Sequence, residues 1–189
     1  YYYGSSWNQP FMDSPDTDPP VHDGRPGSES EGDHVRGLET VASMTNNYIA
    51  NTHSTSNMFA TIFLGVIEPD SAEIFYVNGG HEAPVVVNKD GVKHVLETTG
   101  PAVGMMPDMP FEVEKLAFDP GDILVAFTDG ITEARSADGR LYGDETLYDL
   151  VKEPPPSADL MLTGVKSDVD SHAKGAVPWV YITLIALQK

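Results

Sequence analysis

The chain has 189 residues, and its 29 Asp and Glu against 11 Lys and Arg leave a formal net charge of −18. So acidic a surface weighs against nucleic-acid binding, and the lack of any Cys removes disulfides, thiolate zinc sites and every mechanism built on a cysteine nucleophile. The length fits one domain with a real core, and the longest apolar runs, at 58–67 and 179–187, are about half the ~20 residues that cross a bilayer.

Residues 1–10 are polar and carry no cationic region ahead of an apolar stretch, so the expectation is a cytoplasmic protein without a membrane span. Residues 1–37 are crowded with Pro, Gly, Ser, Asp and Glu and show no periodicity. They read as an irregular or disordered acidic segment ahead of a domain over 38–189. Acidic loops gathered around a metal have the same composition, so both readings stand for 13–33.

From Leu38 the pattern sharpens. Leu38, Val41, Ala42, Thr45, Tyr48 and Ile49 share one helical face and predict a helix over about 37–50. The apolar run 58–67, the punctuation Glu68-Pro69-Asp70 and the alternating stretch 73–78 predict a hairpin whose first strand is well buried. Stretches 84–88 and 92–96 flank Lys89-Asp90-Gly91, a tight-turn signal, and predict a second hairpin. A third is expected from 111–118 and 123–128 around Asp119-Pro120-Gly121-Asp122. A helix follows at 144–152, stopped by Pro154, Pro155 and Pro156; Ser157 is placed to cap another running to about His172. The stretch 179–187 closes the chain as a buried strand. Hairpins with helices at either end predict an α+β fold, an antiparallel β-sandwich flanked by α-helices.

Chemistry concentrates at 122–133. There a buried strand delivers the carboxylate of Asp129 to its end beside Gly130, a placement that suits a hard-metal ligand because the strand fixes the oxygen and the glycine admits close approach. Asp-Gly is also an ordinary turn pair, and the segment alone leaves both readings open. His81, after Asn78-Gly79-Gly80, can touch phosphate or simply bond to backbone. His22, His34, His53, His94 and His172 lack metal-ligand spacing, and Asp108, Asp122, Asp138 and Asp144 occupy turn or cap contexts. Met105, Met106, Met109 and Phe111 form an apolar stretch that fits a core lid or a docking surface.

Five blocks carry a resemblance in order and spacing: Met58-Phe-Ala-Thr-Ile-Phe-Leu-Gly-Val66, Tyr76-Val-Asn-Gly-Gly-His-Glu-Ala-Pro84, Thr99-Gly-Pro-Ala-Val-Gly104, the stretch Pro120 to Ala134 centred on Thr128-Asp129-Gly130, and Ile182-Thr-Leu184. Over roughly 38–187 the chain resembles the bacterial metal-dependent serine/threonine phosphatases (PPM type) related to sporulation protein E and the stress sigma-factor regulators. The resemblance implies two Mn²⁺ or Mg²⁺ ions held by aspartates, a metal-bound water that attacks a phosphoserine or phosphothreonine, and no need for cysteine. It implies a phosphorylated regulatory protein of the anti-sigma-factor-antagonist type as partner.

By that resemblance Asp129 is a metal ligand with Gly130 beside it, whereas the position of His81 is mainly architectural, with contact to substrate as the alternative reading. Gly32-Asp33 followed by Gly37 offers Asp33 as a faint match to an amino-terminal metal block. The family's closing strand opens with an Asp-Asp pair where this chain has Val180 and Tyr181, and neither can replace a carboxylate. Two expectations therefore compete: a phosphatase domain of a partner-switching system, and a catalytically impaired relative that acts as a protein-binding module.

Overall fold

The computed structural model describes residues 31–52, 58–176 and 181–189. Helix α1 (Glu31–Thr52) is followed by strands β1 (Ile62–Glu68), β2 (Glu73–Gly79), β3 (Val85–Asn88), β4 (Gly91–Val95), β5 (Glu114–Ala117) and β6 (Ile123–Phe127). The short α2 (Asp129–Thr132), then α3 (Asp144–Val151), α4 (Ala158–His172) and β7 (Leu184–Gln188) complete the order. All pairing between these strands is antiparallel, in two sheets ordered β1-β2-β5 and β4-β3-β6-β7. The sheets pack through Ile74, Tyr76, Val86, Leu96, Phe118 and Leu124. Helix α1 covers the outer face of the smaller sheet around Phe75 and Val77, and α3 and α4 cover the larger around Val85, Val125 and Phe127. This is the expected helix-flanked antiparallel sandwich.

Helix α1 buries His34, Leu38, Ala42, Asn46 and Ala50, one residue per turn. It begins six residues ahead of the expected start, so 31–37, read as irregular, form its opening turns. The reason is compositional: its first inward residue is a histidine among Gly and Asp, which gives no apolar period. Residues 1–30 lie outside the described residues. Near its other end, Asn46 is fully buried; its Nδ2 donates to the Met106 carbonyl at 2.9 Å and its Oδ1 accepts from Gly104 N at 2.9 Å. This clamp pins the stretch after Gly100 onto α1. Of the apolar residues there, Phe111 is buried and Met109 packs on the α1 cluster, while Met105 and Met106 are exposed.

Three strand expectations need correction. Strand β1, expected to be well buried, is half-buried, and the buried member of its hairpin is β2. An edge position explains this: β2 lies between β1 and β5. The expected third hairpin does not form, because β5 pairs with β2 whereas β6 pairs with β3 and β7. The turn at 119–122 carries the chain from one sheet to the other, and turn chemistry announces a reversal without naming the strand's partner. Lys93 of β4 secures that crossing, donating to the Ala117 carbonyl at 3.3 Å, to Asp119 at 2.7 Å and to the buried Asp122 at 2.6 Å. The closing strand, expected over 179–187 as core, is β7 at an edge, with Ile185 and Leu187 exposed. Trp179 and Val180 lie outside the described residues.

The helix expectations after residue 140 hold. The three prolines separate α3 from α4, and Ser157 Oγ caps α4 by accepting from Leu160 N at 3.3 Å.

Candidate active site

Strand β6 ends in Phe127, and its alternate residues are anchored in the core beneath α3 and α4. Thr128 is extended and immediately precedes the four-residue α2, whose first residue is Asp129. The turn is held from within: the Asp129 carbonyl accepts from Glu133 N at 2.7 Å and from Thr132 Oγ1 at 3.2 Å. It is also held from outside by residues 181–183. Thr128 N donates to the Thr183 carbonyl and Thr183 N to Thr128 Oγ1, each at 3.1 Å. At Gly130, which is buried, the Tyr181 carbonyl oxygen lies 2.2 Å from the point a Cβ would occupy. Only glycine permits that approach.

The Asp129 side chain is exposed at this rigid strand end. Asp144, in the first turn of α3, is brought to the same edge because Gly143 N donates to the Thr132 carbonyl at 2.8 Å. Glu82 precedes β3, and the Val85 to Val125 register sets the residues before β3 against those after β6. The Glu82 carboxyl is pushed above its ordinary range, first by partial burial and then by the negative charges of Asp144, Asp129 and Glu133. Four carboxylates from three parts of the chain thus share one edge of the sandwich and repel one another.

Asn78 organises the loop that carries Glu82. It is fully buried, its Nδ2 donates to the Leu96 carbonyl at 3.0 Å and its Oδ1 accepts from His81 N at 2.8 Å. Gly80, at φ +70°, makes the turn with its backbone against Ala102. The His81 ring is half-buried, with Nδ1 at 3.3 Å from Thr61 Oγ1. Asp33 sits elsewhere. It is exposed and paired with Arg36 at 2.7 Å in the first turns of α1. That end of α1 is tied to the β1–β2 turn by His34 to Glu68 at 3.0 Å, whereas Gly79 and His81 lie at the other end of the seven-residue β2. A strand of that length measures roughly 20 Å. Asp33 and Asp129 are not brought together.

Sequence reasoning missed Glu82 and Glu133. Glu133 follows Asp129 by four residues on one turn, a legible signal, while Glu82 is identifiable only from the β3–β6 register. All-carboxylate donors suit a hard divalent cation. Among the described residues, however, no three His, Asp or Glu side chains converge closely enough to hold one. Tyr181, standing where the resemblance calls for a carboxylate, is 96% exposed. The described residues therefore do not by themselves form a metal centre.

The helix-flanked antiparallel sandwich is the fold of solved PP2C-type phosphatase domains. The model for stage II sporulation protein E (SpoIIE) matches residues 27–178, and the chain belongs to that family. Protein IcfG of Synechocystis sp. is 38% identical over 146 residues, 77% of this chain and 23% of that protein. Phosphoserine phosphatase RsbP of Bacillus subtilis is 32% identical over 106 residues, 53% of this chain and 25% of that protein. The chain thus spans about a quarter of the length of these relatives. Among solved structures, the SiaA-PP2C domain of Pseudomonas aeruginosa superposes with a TM-score of 0.69 at 11% identity, covering 84% of this chain and 63% of that one. The Mn-presoaked phosphatase domain of SpoIIE from Bacillus subtilis gives 0.57 at 17% identity, covering 79% and 66%. At such identities the likeness shows the fold.

The close fit at Gly130 has a measurable consequence. Gly130→Ala sets a methyl against the Tyr181 backbone and forces the closing segment away, with an expected cost of about 1–3 kcal/mol, read as a lower midpoint in urea. An unchanged midpoint would mean that residues 181–183 do not seal the turn.

Proposed function

We propose that the chain is the phosphatase domain of a bacterial partner-switching system. Its substrate is a phosphoserine or phosphothreonine on a small cytoplasmic regulatory protein of the anti-sigma-factor-antagonist type, and the activity depends on Mn²⁺ or Mg²⁺. The observation that carries this reading is the strand-fixed carboxylate of Asp129 beside Gly130, on an acidic edge shared with Glu82, Glu133 and Asp144. Membership of the SpoIIE family and the phosphoserine phosphatase relative support it. In this reading Asp129 supplies a negatively charged oxygen at a position that does not shift, and the neighbouring carboxylates make the edge a sink for cations and repel an unaccompanied phosphate. In this reading His81, next to Glu82 in a loop whose backbone Asn78 holds, is the residue offered to the substrate.

A second reading rests on Val180, the position at which the resemblance puts the metal-binding first aspartate of the closing pair, and on the missing amino-terminal carboxylates: without them, the domain recognises a phosphorylated partner without hydrolysing it. One assay separates the two. Phosphate release from a phosphoserine protein in Mn²⁺, abolished by a chelator, supports the phosphatase; binding of the same protein without release supports the module. Tyr181→Asp adds a carboxylate at an exposed position beside Gly130, where it costs the fold little. It is expected to tighten Mn²⁺ binding by calorimetry, and unchanged affinity would mean that Tyr181 does not face the cation position.

A further inference from the structure

Between the Asp129 turn and α3 the chain makes a hairpin arm over residues 132–143. Gly143 N donates to the Thr132 carbonyl and Tyr142 N to the Ala134 carbonyl, each at 2.8 Å, and Arg135 bridges antiparallel to Leu141. Ala134 and Tyr142 pack on the core of the larger sheet, and the Tyr142 hydroxyl donates to Asp168 of α4 at 2.7 Å. The tip rests against the end of α4. His172 Nε2 lies 3.1 Å from the Arg140 carbonyl, and the Ala137 Cβ stands 3.8 Å from the point a Cβ of Gly175 would occupy. The arm is thus fixed at base, middle and tip. Because Ala134 and Tyr142 turn inward, the alternation of the ribbon turns Arg135 and Leu141 outward, and both are exposed.

Charge sets this arm apart. The chain has 29 acidic residues against 11 basic ones, and among the described residues every Arg and Lys except Arg135, Lys174 and Lys189 has a carboxylate partner. Lys189 Nζ donates to the Pro69 carbonyl at 3.4 Å. The other two stand at the arm, Arg135 on it and Lys174 next to the Gly175 that meets Ala137. Lys174 also complements the carboxyl end of α4. Arg135 lies on no helix, and its one bond, from Nη1 to the Gly139 carbonyl at 3.4 Å, leaves most of its N–H donors unused. It follows Glu133 by two residues, so a fixed positive group borders the acidic edge.

We propose that this arm reads the sequence around the phosphorylated residue: Arg135, with Lys174 beyond it, holds Asp or Glu side chains of the phosphoprotein roughly three to five residues from its phosphoserine or phosphothreonine. This rests on the reading of the acidic edge as the place where the phosphorylated partner is bound. The spacing follows from length. Arg135 is three residues along the arm from Thr132, roughly 10 Å, and an extended partner segment covers that distance and the reach of the side chains in a like number of residues. A guanidinium offers a carboxylate two parallel hydrogen bonds, and Leu141 on the same face gives the stem of the side chain an apolar surface. The acidity of the rest of the chain repels such a segment, so this face fixes how it lies.

Fluorescence anisotropy in Mn²⁺ tests this on the full chain, with labelled phosphoserine peptides that differ only in carrying Glu or Gln three, four and five positions from the phosphoserine. The Glu peptide is expected to bind about tenfold more tightly, and the ratio to fall as salt rises. Arg135→Gln is expected to bring the ratio below about threefold and Lys174→Gln to lower it less. Lys89→Gln removes the same charge from an exposed turn beyond the other end of β3 and is expected to leave the ratio as it was. Arg135 and Lys174 are exposed and bear no ion pair, so both variants keep the fold, as circular dichroism would verify. Equal affinities for the two peptides overturn the proposal, as does failure of both to bind. An Arg135→Gln chain that discriminates as before overturns it too, and a Lys89→Gln chain that loses as much assigns the effect to net charge instead. Lack of p-nitrophenyl phosphate hydrolysis in Mn²⁺ would count against the phosphatase alone, since the difference between the peptides is read from binding.

Discussion

Asp129→Ala is expected to weaken Mn²⁺ binding by at least about tenfold in calorimetry, and Asp138→Ala to leave it unchanged. Both aspartates are exposed, both belong to aspartate-glycine pairs, and they differ in what their carboxylates already do. Asp138 is engaged by Ser136 Oγ and, at 2.8 Å, by Arg140 Nε, and these partners hold its carboxyl below the usual range. It is a neutralised turn residue. Asp129 uses its backbone carbonyl to build the turn, which leaves the carboxylate at the acidic edge with Glu82, Glu133 and Asp144. Cations gather where like charges have been forced together, because binding relieves the repulsion that adds to partial burial in raising Glu82. Equal affinities for the two variants would remove Asp129 from the site and the carrying observation from the proposed function.

Lys93→Met is expected to cost about 3–5 kcal/mol and to change the shape of the stability profile against pH. The Asp122 carboxylate is 2% exposed and is held by Lys93 Nζ and, at 2.8 Å, by Asp119 N. Without the ammonium, a buried anion keeps one backbone donor. The signs follow from linkage. The hydrogen bond and the charge of Lys93 depress the Asp119 carboxyl, so its contribution is present above the ordinary aspartate range and is lost as pH falls through the depressed folded value. That acid limb is small, since Asp119 is 60% exposed and screened. For Lys93, partial burial alone would lower its titration, but the hydrogen bonds to Asp119 and Asp122 outweigh it and raise the group. Its contribution is complete below the ordinary lysine range and is lost as pH rises through the raised folded value. Urea midpoints across pH should show both limbs in the unmodified chain and, in Lys93→Met, lose the alkaline one and most of the acid one, since Lys93 is the main cause of each. A variant with the same midpoints and the same profile would mean that the crossing between the sheets does not need its ammonium.

The part of this molecule that could be read from its residues is the part in which local chemistry decides the outcome. Ser157 after three prolines starts a helix in any surroundings, and Asp129-Gly130 after a run of buried apolar residues ends a strand in any surroundings. What could not be read depends on which strand lies next to which. The run at 58–67 has the composition of a central strand and takes an edge, because nothing within seven residues states how many neighbours they will have. Asp119-Pro120-Gly121-Asp122 turns the chain as expected and then delivers it to the other sheet, a choice secured by Lys93 some thirty residues earlier. The acidic edge shows the same division: Asp129 is legible as a candidate, whereas Glu82 joins it only through the pairing of β3 with β6. Asp33 failed for the complementary reason, since a Gly-Asp pair resembles a ligand block until the helix around it is known to begin at Glu31.

The seal on Gly130 bears on when the site comes into being. Thr128 and Thr183 are 55 residues apart in sequence, and the carbonyl that packs on Gly130 belongs to Tyr181. As the chain leaves the ribosome, Asp129 emerges well before the residues that lock its turn. The acidic edge is therefore among the last features to be assembled, after both sheets have most of their strands, because contacts distant in sequence form only once loop closure has been met by packing elsewhere. A nascent or trimmed chain lacking residues 181–189 would lack the backbone contacts that hold the Asp129 turn from outside.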